Sequence, residues 1–279
     1  MRKKKWARPE LAACPFYTEG GEEWKNRWRG RFAVPERPLF LEMGCGKGVS
    51  TAAMVADYPE INFVAADLSA DVLGVARRNL AQACGEKPGN IFLLQTDICF
   101  ISQVFGPEDA ADRIYISFCN PWTEHPKHAK RRLTHPRQLL QYRSFLKQEG
   151  EIWFKTDDET LFEDSLVYFD LCGFEIRFLT HDLHASGFQP NHLSEHEVHF
   201  SEMGVPIKAG VFRKSGPEPD FDPTRYRLTP GVRRESLARI GGLSDRPPNP
   251  LRPDHHNGPL RTQTTLRSSG CLRPEEEEV

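Results

Sequence analysis

Asn120-Pro121-Trp122 follows the apolar run 113–119, and Lys127-His128-Ala129-Lys130-Arg131-Arg132 comes soon after it. A polar turn with an aromatic residue at the end of a buried strand is where an open α/β sheet presents reactive side chains. Cations just beyond the turn suit a substrate that carries phosphates. Together they suggest an enzyme that acts on a nucleic acid. Upstream, acids mark three successive apolar runs: Glu42 within the first, Asp67 after the second, Asp97 after the third. Downstream, Asp157 closes a later run in Phe154-Lys155-Thr156-Asp157.

Such groups need a frame. Apolar runs predict strands at 39–43, 62–66, 91–95, 113–119, 150–155, 174–179 and 206–213. Helical spacing fills 50–58, 70–83, 136–146 and 159–172. Strands alternating with helices of this length predict an α/β fold over residues 37–214: a Rossmann-like, seven-stranded, mostly parallel sheet with helices on both faces. The flanks differ in texture. Residues 1–36 mix cations with tryptophans, as in Lys3-Lys4-Lys5-Trp6 and Trp24-Lys25-Asn26-Arg27-Trp28. This arm either packs its tryptophans on the domain or offers cations to phosphates and rings to bases. Residues 215–279 are dense in Pro, Gly, Arg and Asp and end in Glu275–Glu278. That composition predicts a disordered tail.

Bulk properties exclude some classes. The 279 residues carry a net charge of −2, so any nucleic-acid signal must be local. Seven dispersed cysteines without a CxxC suggest free thiols in a reducing cytoplasm. No apolar stretch follows the basic N-terminus, so neither a signal peptide nor a membrane span is expected. His181, His184, His192, His196 and His199 match no compact zinc signature, and no metal is expected.

The turn after the first strand narrows the cofactor. Gly44, Gly46 and Gly48 alternate, so the third glycine falls one position short of the dinucleotide spacing GxGxxG. Asp67 follows at about 20 residues, the spacing at which an acid reaches ribose hydroxyls. A negative Glu42 is poor company for a pyrophosphate but suits an ammonium and a sulfonium. Glu42-Met43-Gly44-Cys45-Gly46-Lys47-Gly48 is similar to the E/DxGxGxG motif of S-adenosylmethionine methyltransferases.

The whole constellation resembles a narrower family. That glycine motif, Asn120-Pro121-Trp122 with the basic run through His135, Phe154-Lys155-Thr156-Asp157, and Ser194-Glu195-His196-Glu197 occur in the order found in bacterial tRNA (guanine-N7)-methyltransferases. The resemblance covers roughly residues 1–214. It implies S-adenosylmethionine as cofactor, held by Glu42, Gly44, Gly46, Asp67, Asp97 and Asn120. It implies tRNA as substrate and guanosine 46 of the variable loop as target. Asp157, Ser194, Glu195, His196 and Glu197 would meet the guanosine, with Asn120 and Asp157 nearest the chemistry. Lys127, His128, Lys130, Arg131 and Arg132 would meet the tRNA backbone. The loop departs from the family's Asp-Pro-Trp-Pro-Lys-Lys-Arg-His: Asn120 replaces the aspartate, Glu124 falls where a substrate-binding lysine is expected, and the loop is one residue longer.

Rival readings stay open at this level. Asn-Pro-Trp is similar to the Asn-Pro-Pro-aromatic motif of exocyclic-amine methyltransferases, and Asn120 with Glu124 would also fit an inactive tRNA-binding protein. A nicotinamide oxidoreductase is disfavoured by the glycine spacing. Asp157 is also placed to cap the helix that starts near residue 158. Oligomeric state is not encoded legibly.

Overall fold

A computed structural model describes residues 3–223, 226 and 228–241. The N-terminal arm supplies α1 (Ala7–Ala12) and β1 (Tyr17–Glu19). Next come β2 (Leu39–Met43), α2 (Val49–Asp57), β3 (Asn62–Asp67), α3 (Ala70–Cys84) and β4 (Ile91–Gln95). The second half runs β5 (Ala111–Ser117), α4 (Pro136–Phe145), β6 (Leu146–Thr156), α5 (Glu159–Leu171) and β7 (Phe174–Thr180). After it come the one-turn α6 (Leu183–Ser186), α7 (Glu195–Glu202), β8 (Lys208–Lys214) and α8 (Pro230–Gly241).

The strands form one sheet in the order β1-β4-β3-β2-β5-β6-β8-β7. Every neighbouring pair from β1 to β6 is parallel, and β8 alone runs against the rest. Chain direction around the sheet reverses between β2 and β5, so the crevice beyond their carboxyl ends is the expected ligand position. Alternation along β2 sets what faces what. Leu39, Leu41 and Met43 join the large core with Ile114, Phe154 and Phe162. Phe40 joins the opposite cluster with Phe63 and Leu73. Glu42 lies on that second face, a carboxylate inside an apolar layer.

Two expectations change. The sheet has eight strands where seven are expected, because β1 from the arm pairs in parallel with β4. This arm takes the packing alternative. Trp28 is fully buried, its indole N–H donates to the Val104 carbonyl at 3.0 Å, and its ring stacks on Phe105 at 5.3 Å. Arg29 spends its guanidinium on the carbonyls of Asp109, Ala110, Pro35 and Arg37. With its fifth donor on Asp112 at 3.2 Å, this arginine is a strut for the chain, with no donors left for phosphate.

The expected disorder of 215–279 gives way, over its first part, to ordered structure. Arg143 clamps the carbonyls of Ser215, Gly216 and Pro217 at 2.9, 2.6 and 2.9 Å. Tyr226 meets the Tyr168 ring edge-on at 6.1 Å. Helix α8 lies on α5, with Arg233 paired to Glu163 and Asp164, Arg239 to Asp170, and Ile240 buried. Burying one isoleucine stabilises by roughly 1.5–3 kcal/mol, which composition averaged over 65 residues conceals. The remainder of that expectation, 242–279, lies outside the described residues.

Candidate active site

The parallel strands β2 to β6 bring their carboxyl ends, and with them Glu42, Asp67, Asp97, Asn120 and Asp157, to one edge of the sheet. The glycine turn folds back over that edge. Gly44 and Cys45 N–H both donate to the Ala66 carbonyl at 2.8 and 3.0 Å. Gly46 N–H donates to Asp67 Oδ2 at 3.0 Å. Gly48 sits at φ 66°, and a Cβ there would come within 2.8 Å of Ala76 Cβ, so α2 starts against α3 only through a glycine. Gly46 contrasts with it: a Cβ there would meet nothing within 4 Å. The turn therefore presents bare backbone to open space beside Asp67.

The acids around that space differ in environment. Glu42 is buried and accepts from Ser50 Oγ at 3.2 Å and from the Thr51 hydroxyl. Burial pushes its carboxyl above the ordinary value, against the hydroxyls of Thr51 and Ser50 and the charge of Lys155. A buried carboxylate with two neutral donors is completed by a cation. Asp67 is half-buried; Oδ1 accepts from Ser69 N–H at 3.0 Å while Oδ2 holds Gly46. Lone pairs remain on both oxygens for vicinal hydroxyls. Exposed Asp97 caps the turn after β4 through Cys99 N–H at 2.9 Å. Leu68 and Phe100, 65% and 55% exposed, stand in water beside these two acids. Large apolar side chains left bare at adjacent strand ends suit the faces of a flat heterocycle. Sequence reasoning misses both; the available signal is their position one and three residues after a strand-end acid.

Beyond β5 the chain leaves extended geometry at once: Phe118 and Trp122 sit at φ 52° and 47°. Left-handed backbone at bulky residues is held only by specific contacts. For Trp122 the contact is Asn120 Oδ1, which accepts its backbone N–H at 3.0 Å. That role needs an acceptor and no charge, so asparagine performs it as an aspartate would. Trp122 carries Arg131 over its ring at 5.0 Å and meets the edge of His128 at 5.9 Å. Glu124, Lys127, Lys130 and Arg131 are exposed. Arg132 is a correction: expected at the tRNA backbone, it is 5% exposed, bonded to Asp164 at 2.6 Å and to the Pro121 carbonyl at 2.6 Å.

At the end of β6 the cap of α5 is Asp158, whose Oδ1 accepts from Leu161 N–H at 2.6 Å. Capping therefore does not account for Asp157. Its carbonyl accepts from Lys208 Nζ at 2.9 Å, and its half-buried carboxylate makes no hydrogen bond among the described residues. The segment between β7 and β8 supplies the facing wall. Ser194 caps α7 through Glu197 N–H at 3.2 Å. Glu195 pairs with Lys47 of the glycine turn at 2.8 Å. His196 stacks on Phe118 at 6.1 Å.

Glu197, expected at the guanosine, is fully enclosed: Lys155 takes one oxygen at 2.5 Å, and Asn191, at 2.6 Å, and His184, at 3.2 Å, take the other. Lys155 also donates to Asn191 Oδ1 and the His192 carbonyl, both at 2.9 Å. A buried charge this well coordinated holds a wall in place and has no lone pair directed at a ligand. Lys155 is another residue to which the sequence assigns no role. It stands two residues before Asp157, and the partners that explain it lie 36–42 positions away. A cavity of about 50 Å³ runs beneath this wall, lined by Glu42, Tyr115, Trp153, Lys155, Phe178 and His192 among others.

Among the described residues no helix is long and apolar enough to cross a membrane, and no group of His, Cys, Asp and Glu is arranged to hold a metal ion. A methyltransferase family model, described as "Putative methyltransferase", matches residues 36–209. A tRNA (guanine-N(7)-)-methyltransferase of Clostridium beijerinckii is 50% identical over 211 residues, 75% of this chain and 95% of the relative. That of Clostridium perfringens is 48% identical over 217 residues, 77% of this chain and 99% of the relative. Half the residues shared across nearly the full length of such relatives, on a sheet whose strand ends carry these acids, make the chain a member of the tRNA (guanine-N7)-methyltransferase family.

Proposed function

We propose that this protein transfers a methyl group from S-adenosylmethionine to N7 of a guanine in tRNA, forming 7-methylguanosine, with guanosine 46 of the variable loop as its target. The observation that carries this reading is the 50% identity over 95% of a tRNA (guanine-N(7)-)-methyltransferase. The target position rests on the family resemblance. Its substrate is a cytoplasmic molecule, and the cytoplasm is taken as its compartment.

The residues present fit the cofactor. Gly44 and Gly46 shape the turn, Gly46 leaves bare backbone beside Asp67, which suits ribose hydroxyls, and Leu68 and Phe100 suit the faces of adenine. Glu42 suits the positive end of the amino acid moiety. When bound, S-adenosylmethionine supplies an electrophilic methyl on a sulfonium, which leaves as a neutral thioether. Guanine N7 bears a free lone pair at neutral pH, so no residue must remove a proton before attack. What remains for the protein is alignment, which in favourable cases is worth effective molarities on the order of 10⁵ M. Asp157 is suited to align the base, because guanine offers N1–H and the 2-amino group as donors and a carboxylate that makes no hydrogen bond among the described residues can accept both. Asn120 holds Trp122 in its left-handed turn at the mouth of the site, and exposed Lys127, Lys130 and Arg131 neutralise phosphates. The base must leave its stack, at a few kcal/mol.

Purified protein with methyl-labelled S-adenosylmethionine and tRNA lacking the N7 mark, followed by nucleoside analysis, tests the reading. The expected product is 7-methylguanosine. Label in methyladenosine, or tRNA binding without transfer, overturns it.

A further inference from the structure

The family match ends at residue 209, and α8 lies beyond it. Yet α8 reaches the reaction loop through three residues. Arg233 on α8 donates from Nη2 to Glu163 on α5, and its Nε stands 3.0 Å from Asp164 Oδ1, an ion pair without a hydrogen bond. Asp164 Oδ2 accepts from Arg132 Nη1 at 2.6 Å. Arg132 Nε donates to the carbonyl of Pro121 at 2.6 Å, inside Asn120-Pro121-Trp122. The two links through Arg132 are short hydrogen bonds, with Arg132 buried at 5% exposed and Asp164 partly buried at 13%. A carboxylate shared between two arginines is fixed more firmly than one facing a single partner, because either cation alone leaves it room to turn.

The loop at the far end needs fixing. It carries a left-handed Trp122 and four exposed charged side chains, and among the described residues Pro121 is bound through this carbonyl alone. Tyr168, whose ring Tyr226 covers, lies beside Arg132, so the segment leading to α8 closes the same corner.

We propose that the C-terminal extension through α8 is a brace for the methyl-transfer loop, with Arg233 as a positioning residue acting through Asp164 and Arg132 on the Pro121 carbonyl. In its activity readout this rests on the function proposed above. The loop itself offers a second readout, since trypsin cuts after exposed Lys127, Lys130 and Arg131.

The experiment compares the full chain with Arg233→Ala and Arg233→Lys. In Arg233→Ala, kcat for 7-methylguanosine formation is expected to fall roughly tenfold, the scale of coupling through such networks. S-adenosylmethionine affinity should stay within about twofold of wild type, and trypsin cleavage in the loop should accelerate about fivefold on the same scale. Arg233→Lys, which keeps a cation at Asp164, should restore most of both. Unchanged kcat and cleavage in Arg233→Ala overturn the brace. So does a loss of kcat that follows melting temperature with loop cleavage no faster than elsewhere in the chain. If wild type forms no 7-methylguanosine, the proposed function falls, and the cleavage comparison alone still decides the brace.

Discussion

The two halves of the site hold their charges by different means. Around β2 to β4 the acids meet neutral groups near in sequence: Asp67 takes the N–H groups of Gly46 and Ser69, Asp97 that of Cys99, and Glu42 the hydroxyls of Ser50 and Thr51. Around β5 to β8 the charges meet opposite charges far away, as in Lys155 with Glu197 and Arg132 with Asp164. The first half thus keeps its negative charge for a ligand. The second has spent most of its own on fixing walls, and Asp157 stands out because it has not. Neutralising a charge should therefore cost ligand binding in the first half and stability or turnover in the second.

Asp157→Ala should show the largest effect. Turnover is expected to fall about 10²–10³-fold, the usual range for removing one group that orients a reacting partner. Cofactor affinity measured by titration should barely move; equal loss of both would return Asp157 to the cofactor half. Lys155→Met leaves Glu197 buried without its cation and should destabilise by about 3–5 kcal/mol in urea unfolding. Lys155→Met with Glu197→Met should unfold at higher urea than Lys155→Met alone, because the stranded charge is gone. A double variant weaker than both singles would refute the strut.

Glu42→Gln tests the other half, with an expected loss of S-adenosylmethionine affinity of about tenfold, 1.4 kcal/mol. Its melting temperature should hold or rise. Burial raises the Glu42 carboxyl in the folded state from its ordinary 4.5. The stability it contributes is therefore present below that value and lost as pH rises through the folded value. Glutamine lacks this falling limb, so the variant should gain on wild type toward neutral pH. A lower melting temperature at pH 7 would mean that Glu42 serves the fold. Arg131→Ala should be mildest: no change in stability, and tRNA affinity reduced with a salt slope shallower by about 0.7–0.9 for one lost phosphate contact.

Legibility follows the same divide. Strand ends announce themselves in sequence, because an apolar run fixes where the chain emerges and the next polar residue stands there; Glu42, Asp67, Asp97 and Asp157 are visible for that reason. Seven strands and their helices are equally visible. Leu68 and Phe100 escape notice because an exposed apolar side chain looks buried until the fold is known. Glu197 is expected at the guanosine, and Arg132 at the phosphates, because a charge's partner 42 or 32 residues off leaves no local trace. Strand β1 has only three residues, and α8 is one short helix inside a polar segment. Neither carries enough apolar pattern of its own to be seen without the surface it covers.

That three-residue edge strand has a consequence for the order of assembly. The Tyr17 hydroxyl waits for Gln95, 78 positions on, and the Trp28 backbone for Asp109, 81 positions on. During synthesis, residues 17–31 leave the ribosome long before these long-range partners exist. Loop-closure entropy further delays the contact once those partners appear. The segment made early is docked late, and until then its tryptophans are open to chaperones and proteases. A tryptophan signal that rises only after residue 109 has emerged would time the moment the sheet edge is sealed.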